Sequence, residues 1–115
     1  MMVFNIMANA YKNKKVDLTS TDLTILYTVP SETTAIIKSI LVSDDATAGD
    51  SIDVTLVDTS SAIFNLFNNK VITSDGTSEL LTAPLVAQEG EIIKVRATTA
   101  DRLHVVMSLL EMTRA

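Results

Sequence analysis

Short runs dense in Val, Ile and Thr recur along this chain roughly every ten residues, and residues that favour turns separate them. These three residue types make up about a third of the 115 residues. Branching at Cβ restricts χ1 and crowds a helical turn, whereas a pleated strand accommodates it. Many short strands at this spacing suit a sandwich or a barrel. A chain of this length forms one compact domain, which by surface scaling buries roughly two-thirds of the area its extended form exposes. The expectation is an all-β fold: a single antiparallel β-sandwich, jelly-roll or Ig-like, of about eight short strands.

Individual segments carry that expectation. Pro30 holds Val29 extended, so Leu23–Val29 ends at the turn Pro30-Ser31-Glu32-Thr33. Ala35–Ser43 follows, and after the polar loop Asp44–Asp50 the residues Ile52, Val54 and Leu56 alternate with Asp53, Thr55 and Val57, the period of a half-buried strand. Thr59-Ser60-Ser61 and Asn68-Asn69 read as turns on either side of Ala62–Phe67, and Asp75-Gly76 as a hairpin turn into Ser78–Leu81. Phe64 and Phe67 are expected in the core. Pro84 makes Leu85–Ala87 an edge strand or an irregular bridge, because its nitrogen carries no hydrogen for a central ladder. Ile93, Val95 and Ala97 alternate with Lys94, Arg96 and Thr98. Leu103–Met112 fits helical spacing as well as a strand, and adjacent Val105 and Val106 favour the strand.

The two ends of the chain pose a different question. Residues 1–10 read as an N-terminal arm or strand ahead of a sandwich over 11–115. Met1–Ala8 is apolar but lacks a basic leading segment and is too short for a secretory core, so no signal peptide is expected. Lys12, Lys14 and Lys15 form the one basic cluster, of the kind that keeps an edge strand soluble. Two strands are apolar on both faces. In Ala35–Ser43, Ile36, Ile40 and Val42 lie opposite Ile37 and Leu41, and in Leu103–Met112 the residues Val106, Leu110 and Met112 lie opposite Leu103, Val105, Met107 and Leu109. A small sandwich covers only the inner face of each sheet, so such strands call for a loop or a neighbouring subunit. Ile37, Leu41, Val106 and Leu110, with Val3, Phe4 and Ile6 of the arm, are therefore the expected interface residues.

Most chemistry lacks its parts. There is no Cys, which removes thiolate metal sites, disulfides and cysteine nucleophiles. His104 is the lone histidine, without a nucleophile turn beside it, and is expected to face water or an interface. Asp44, Asp45, Asp50 and Asp53 do not follow the EF-hand order; a weak Ca²⁺ site is one reading and a solvated acidic loop the other. The three glycines are isolated, so neither a phosphate loop nor a dinucleotide turn can form. No Trp is present to line a sugar cleft, which leaves Tyr11 and Tyr27 as the aromatics a glycan- or receptor-binding module would use. A net charge of -5 opposes binding to nucleic acid or an anionic membrane, and no apolar run spans a bilayer. Neither an enzyme nor a cofactor is expected.

The run from Leu26 through Tyr27-Thr28-Val29-Pro30-Ser31-Glu32-Thr33 to Ile40 resembles the opening hairpin of small virion proteins of tailed bacteriophages, particularly marine cyanophages. The similarity continues through Ile52–Asp58, Ser78–Leu81 and Leu103–Met112. What the resemblance implies is a non-enzymatic structural protein located in the virion, partnered by copies of itself and by other virion proteins. Capsid decoration is the expected role, with the neck, tail, baseplate or fibre as the alternative.

Overall fold

A computed structural model describes residues 7–114. Nine strands form among them: β1 (Met7–Asp17), β2 (Thr24–Thr28), β3 (Thr33–Asp44), β4 (Asp50–Val57), β5 (Ile63–Ile72), β6 (Thr77–Glu79), β7 (Leu85–Ala87), β8 (Ile92–Ala97) and β9 (Leu103–Arg114). Pairing is antiparallel throughout, β1 with β9, β2 with β8, β3 with both β6 and β7, and β4 with β5. The first half of the chain thus pairs with the second half in reverse order, as one long hairpin that bends at Thr59–Ser61. Folding this ribbon over lets β9 join β3 and β8 join β4. Two sheets result, β1-β9-β3-β6 with β7 also on β3, and β2-β8-β4-β5. With β6 and β7 counted as halves of one interrupted strand, this is a jelly roll of eight strands.

The core lies between the sheets. Ile37, Ile40, Val42, Val105, Met107 and Leu109 of the first sheet meet Ile52, Val54, Ile93 and Val95 of the second, all with essentially no exposure. The period-two alternation read in β4, β8 and β9 is present, and β9 is a strand whose Val106, Leu110 and Met112 point away from the core. Pro84 precedes β7, which pairs at the sheet margin.

A bulge in β3 corrects one expectation. The register with β9 slips between Ile37 and Ser39, so Lys38 is an extra residue and the alternation inverts across it. Ala35 and Ile37 point inward on one side of the bulge, and Ile40 and Val42 point inward on the other. Ile37 is therefore a core residue and not an interface residue; Ile36 takes its place on the outer face, where Leu41 does belong. Glu79 of β6 holds the bulge. Its carboxylate accepts hydrogen bonds from the Ser39 hydroxyl, from the Ile40 N–H at 2.8 Å and from the Leu81 N–H at 3.1 Å. Burial works to raise this carboxyl, but those donors outweigh it and keep it below the ordinary range.

Three turns connect differently from their local chemistry. Pro30–Thr33 and Asp75-Gly76 each carry the chain from one sheet to the other, β2 to β3 and β5 to β6, so neither closes a hairpin. Asn68-Asn69 is no turn either. It lies within β5, where Asn69 adopts a φ of 54° and the register against β4 slips. Asp53 makes this bulge possible by accepting the Asn69 N–H at 2.7 Å. Phe67 packs partly against the core, whereas Phe64 is half exposed on this edge strand, contrary to expectation. At the other end of the chain, β1 runs without a break through residue 10, so the described part of the anticipated arm is sheet. Val3, Phe4 and Ile6 lie outside the described residues.

Candidate assembly interface

Strand register assembles the outer face of the first sheet. Tyr11 of β1 stands opposite Leu110 of β9, Leu110 opposite Ile36 of β3, and Ile36 opposite Val86 of β7. This apolar row crosses four strands on the side away from the core. Tyr11 is 76% exposed and Val86 53%, while Ile36 and Leu110 are half-buried by their neighbours. A polar row of Asn13, Ser108 and Ser39 follows, and then Lys15, Val106, Leu41 and Glu79. Lys38, displaced outward by the bulge, places its ammonium 5.8 Å from the centre of the Tyr11 ring. That distance suits a cation–π contact, which stiffens an otherwise free aromatic. Of the residues named from sequence, Leu41, Val106 and Leu110 share this face; Ile36, Val86 and Tyr11, which also lie on it, were not among those named. Ile36 was hidden by the bulge, and Val86 by the brevity of its strand.

The second sheet presents a mixed outer face. Lys94 and Arg96 of β8 lie beside Thr55 and Asp53 of β4, and Arg96 pairs with Asp53 at 3.0 Å. Ile92, Val57 and Ile63 form a shorter apolar row at one end. The margins of the two sheets also differ. β1 carries Lys12, Lys14 and Lys15 along the free edge of the first sheet, while β5 shows Ile63, Phe64 and Val71 on that of the second. Beside β5, Leu66 and Phe67 face Leu80, Leu81, Ala83 and Leu85 across an open apolar cleft of about 320 Å³.

Two buried titratable groups, Glu111 and Tyr27, are each other's partners. Glu111 of β9, 5% exposed, accepts the Tyr27 hydroxyl at 2.6 Å and an ammonium hydrogen of Lys12 at 2.8 Å. Burial alone would raise its carboxyl, yet the bonds from Lys12 and Tyr27 and the charges of Lys12 and Lys14 take it below the ordinary range. Burial first, then the bond to Glu111 and its negative charge, push the Tyr27 hydroxyl well above its usual value. Tyr27 is thus a core residue that no external ligand can touch, which leaves Tyr11 alone of the two tyrosines on the surface. Of the three lysines, Lys12 is engaged at the core margin.

The four carboxylates Asp44, Asp45, Asp50 and Asp53 have separate partners. Asp44 accepts the N–H groups of Ala46, Gly49 and Asp75, tying the β3–β4 loop to the β5–β6 loop, and these bonds outweigh desolvation to lower its carboxyl. Gly49 is needed there: its φ is +71°, and a Cβ would sit 3.2 Å from the Ile72 carbonyl oxygen. Asp50 accepts the Thr99 N–H, Asp53 holds Arg96, and Asp45 lies 3.2 Å from Nε2 of His104. His104 is also 3.3 Å from Asp17, at the surface where it was expected. No group of three or more His, Cys, Asp or Glu side chains is arranged to hold a metal ion among the described residues. No helix of the described residues is long and apolar enough to cross a membrane.

Compared by sequence, the chain matches no family model and no curated protein. Compared by structure, it is similar to a chain of the Bacillus endospore appendages, a family of disulfide-linked pili, with a TM-score of 0.62 at 9% identity over 98% of this chain and 93% of that one. It is also similar to a chain of the acid-stable capsid of Helicobacter pylori bacteriophage KHP30, with a TM-score of 0.54 at 10% identity over 97% of this chain and 98% of that one. At such identities the likeness shows the fold alone.

Proposed function

We propose that this protein is a non-enzymatic structural subunit of a virion, that of a tailed phage, and that it decorates the capsid by docking the outer face of its first sheet on neighbouring subunits. The apolar row Tyr11, Leu110, Ile36 and Val86 carries this reading, because a lone sandwich has no use for such a row. Its fold likeness to a phage capsid chain over nearly the full length of both chains supports it. Burying an exposed aliphatic side chain contributes about 1.5–3 kcal/mol, so these half-exposed residues with Leu41 and Val106 supply roughly 5–8 kcal/mol. That is comparable with the cost of immobilising one protein on another. A single contact is then weak, and stability comes from repetition by symmetry around a particle.

Two measurements test the proposal. Stoichiometry on purified particles is expected to reach hundreds of copies; six or twelve would move the protein to the neck or tail, and absence from particles would remove it from the virion. Leu110→Asp and Val86→Asp are expected to block incorporation into particles while changing folding stability by less than about 1.5 kcal/mol each, since both side chains sit on the outer face. Normal incorporation of both variants would show that another surface docks. The similarity to a pilus chain favours a second reading, a filament subunit, for which electron micrographs would show fibres of the purified chain. Linkage by disulfides is closed to it, as the chain contains no cysteine.

A further inference from the structure

The apolar cleft beside β5 has no described occupant, and the same chain carries an apolar segment outside the described residues. Met2, Phe4 and Ile6 alternate with Met1, Val3 and Asn5, so an extended Met1–Ile6 would turn three large apolar side chains to one side. We infer that Phe4 and Ile6 of one copy seat in the cleft of Leu66, Phe67, Leu81 and Leu85 of a second copy, with the arm lying along the free edge of β5. This rests on the assembly reading above and names the contact between copies.

Register and reach require a second copy. Leu85 is aligned with Ile37, Ile37 with Leu109, and Leu109 with Lys12. The cleft is therefore three strand spacings from β1, about 14 Å at ~4.8 Å each. Met7 lies five residues along β1 from Lys12, about 17 Å at ~3.4 Å per residue, so Met7 and Leu85 are about 22 Å apart. Phe4, three residues before Met7, extends at most about 11 Å from it. It cannot reach the cleft of its own molecule even by a straight path through the core. The cleft can accept it only from outside.

Both partners are suited to the contact. β5 is hydrogen-bonded to β4 on one side only, so its other side offers backbone groups to an added strand. Beside it the first sheet is interrupted between β6 and β7, which keeps the cleft open toward Leu80 at the core. Met7, where the arm joins β1, and the acceptor cleft lie on different parts of the molecule, so copies can either exchange arms reciprocally as a dimer or link head-to-tail. Head-to-tail contacts close into rings or continue as filaments according to the rotation between copies.

The cysteine-free chain permits a direct test. Full-length Phe4→Cys and Leu81→Cys proteins, mixed under oxidising conditions, are expected to form a disulfide-linked heterodimer; Phe4→Cys with Ile25→Cys, on the opposite flank, is not. Phe4→Asp and Ala83→Asp, the latter at the exposed cleft rim, should each weaken self-association about 50-fold without lowering the melting temperature, as expected from loss of one buried Phe contact. Mixing these two variants should restore a one-to-one dimer, because each retains the half that the other lacks. Self-association that both variants leave unchanged would overturn the arm contact while leaving assembly intact. A wild-type chain that stays monomeric at millimolar concentration would overturn both. An intramolecular disulfide in a Phe4→Cys, Leu81→Cys double variant would overturn the exchange between copies.

Discussion

Ile37→Ala is expected to lower the stability of the isolated domain by about 3–4 kcal/mol, and Ile36→Ala, one residue away, by less than about 1 kcal/mol. Urea denaturation followed by circular dichroism measures both. The contrast arises from the β3 bulge, which points Ile37 into the core with no exposure and leaves Ile36 on the outer face. Truncating Ile37 removes three carbons from a site bounded by two sheets, where the surroundings cannot collapse to fill the cavity. The equivalent loss at Ile36 opens onto solvent. In a domain of this size the larger change corresponds to a fall in melting temperature of roughly 10–20 °C. Equal losses at the two positions would mean that the alternation runs unbroken through Lys38, and the outer row would have to be redrawn.

Glu111→Ala is expected to cost about 2–3 kcal/mol. Removing one member of a buried ion pair costs about 3–5 kcal/mol, and the value here is smaller because Lys12 is about half exposed and recovers hydration. Most of the loss comes from the Tyr27 hydroxyl, which keeps its burial and loses its acceptor. The same cluster sets the response to pH. Glu111, Glu79 and Asp44 have carboxyls held below the ordinary range when folded, so their contribution is complete above the unfolded values of about 4.3 for Glu and about 3.9 for Asp and is lost as pH falls through the lower folded values. Tyr27 is raised, so its contribution is complete below about 10 and is lost as the solution becomes more alkaline. The urea midpoint should fall beyond each of these limits. In Glu111→Gln the acid limb should be shallower; an unchanged limb would assign the acid response to other groups.

The strands were largely legible in the sequence because alternation is a local property. β4, β8 and β9 could be read from which residues repeat every second position, and the two-sided greasiness of β9 named Val106 and Leu110 correctly as outward residues. The same reasoning failed at Lys38 and Asn69. A bulge is stabilised by groups far along the chain, Glu79 in the first case and Asp53 in the second, and neither leaves a mark on the residues that bulge. Phe64 was expected in the core, yet its strand is an edge, and an edge is defined only by the absence of a neighbour. Likewise Glu111 and Tyr27 carry no signal in sequence: 84 residues separate them, and only the closing of the two sheets puts a tyrosine of β2 against a carboxylate of β9.

Turns divide along the same line. Thr59–Ser61 and Asp75-Gly76 were both recognisable as places where the chain reverses, since a small number of residue types tolerate the required dihedral angles. Only the first joins strands that pair. Turn chemistry acts over four residues, whereas partner choice depends on which apolar faces can be buried together across the whole domain. By itself, then, the amino-acid order determined that this chain makes short strands with two of them apolar on both sides, and that it carries no thiol. The tertiary structure alone decided that β3 exchanges its inward and outward positions at Lys38 and that an apolar cleft stays open beside β5, because each of those outcomes is fixed by contacts between segments that the sequence keeps far apart.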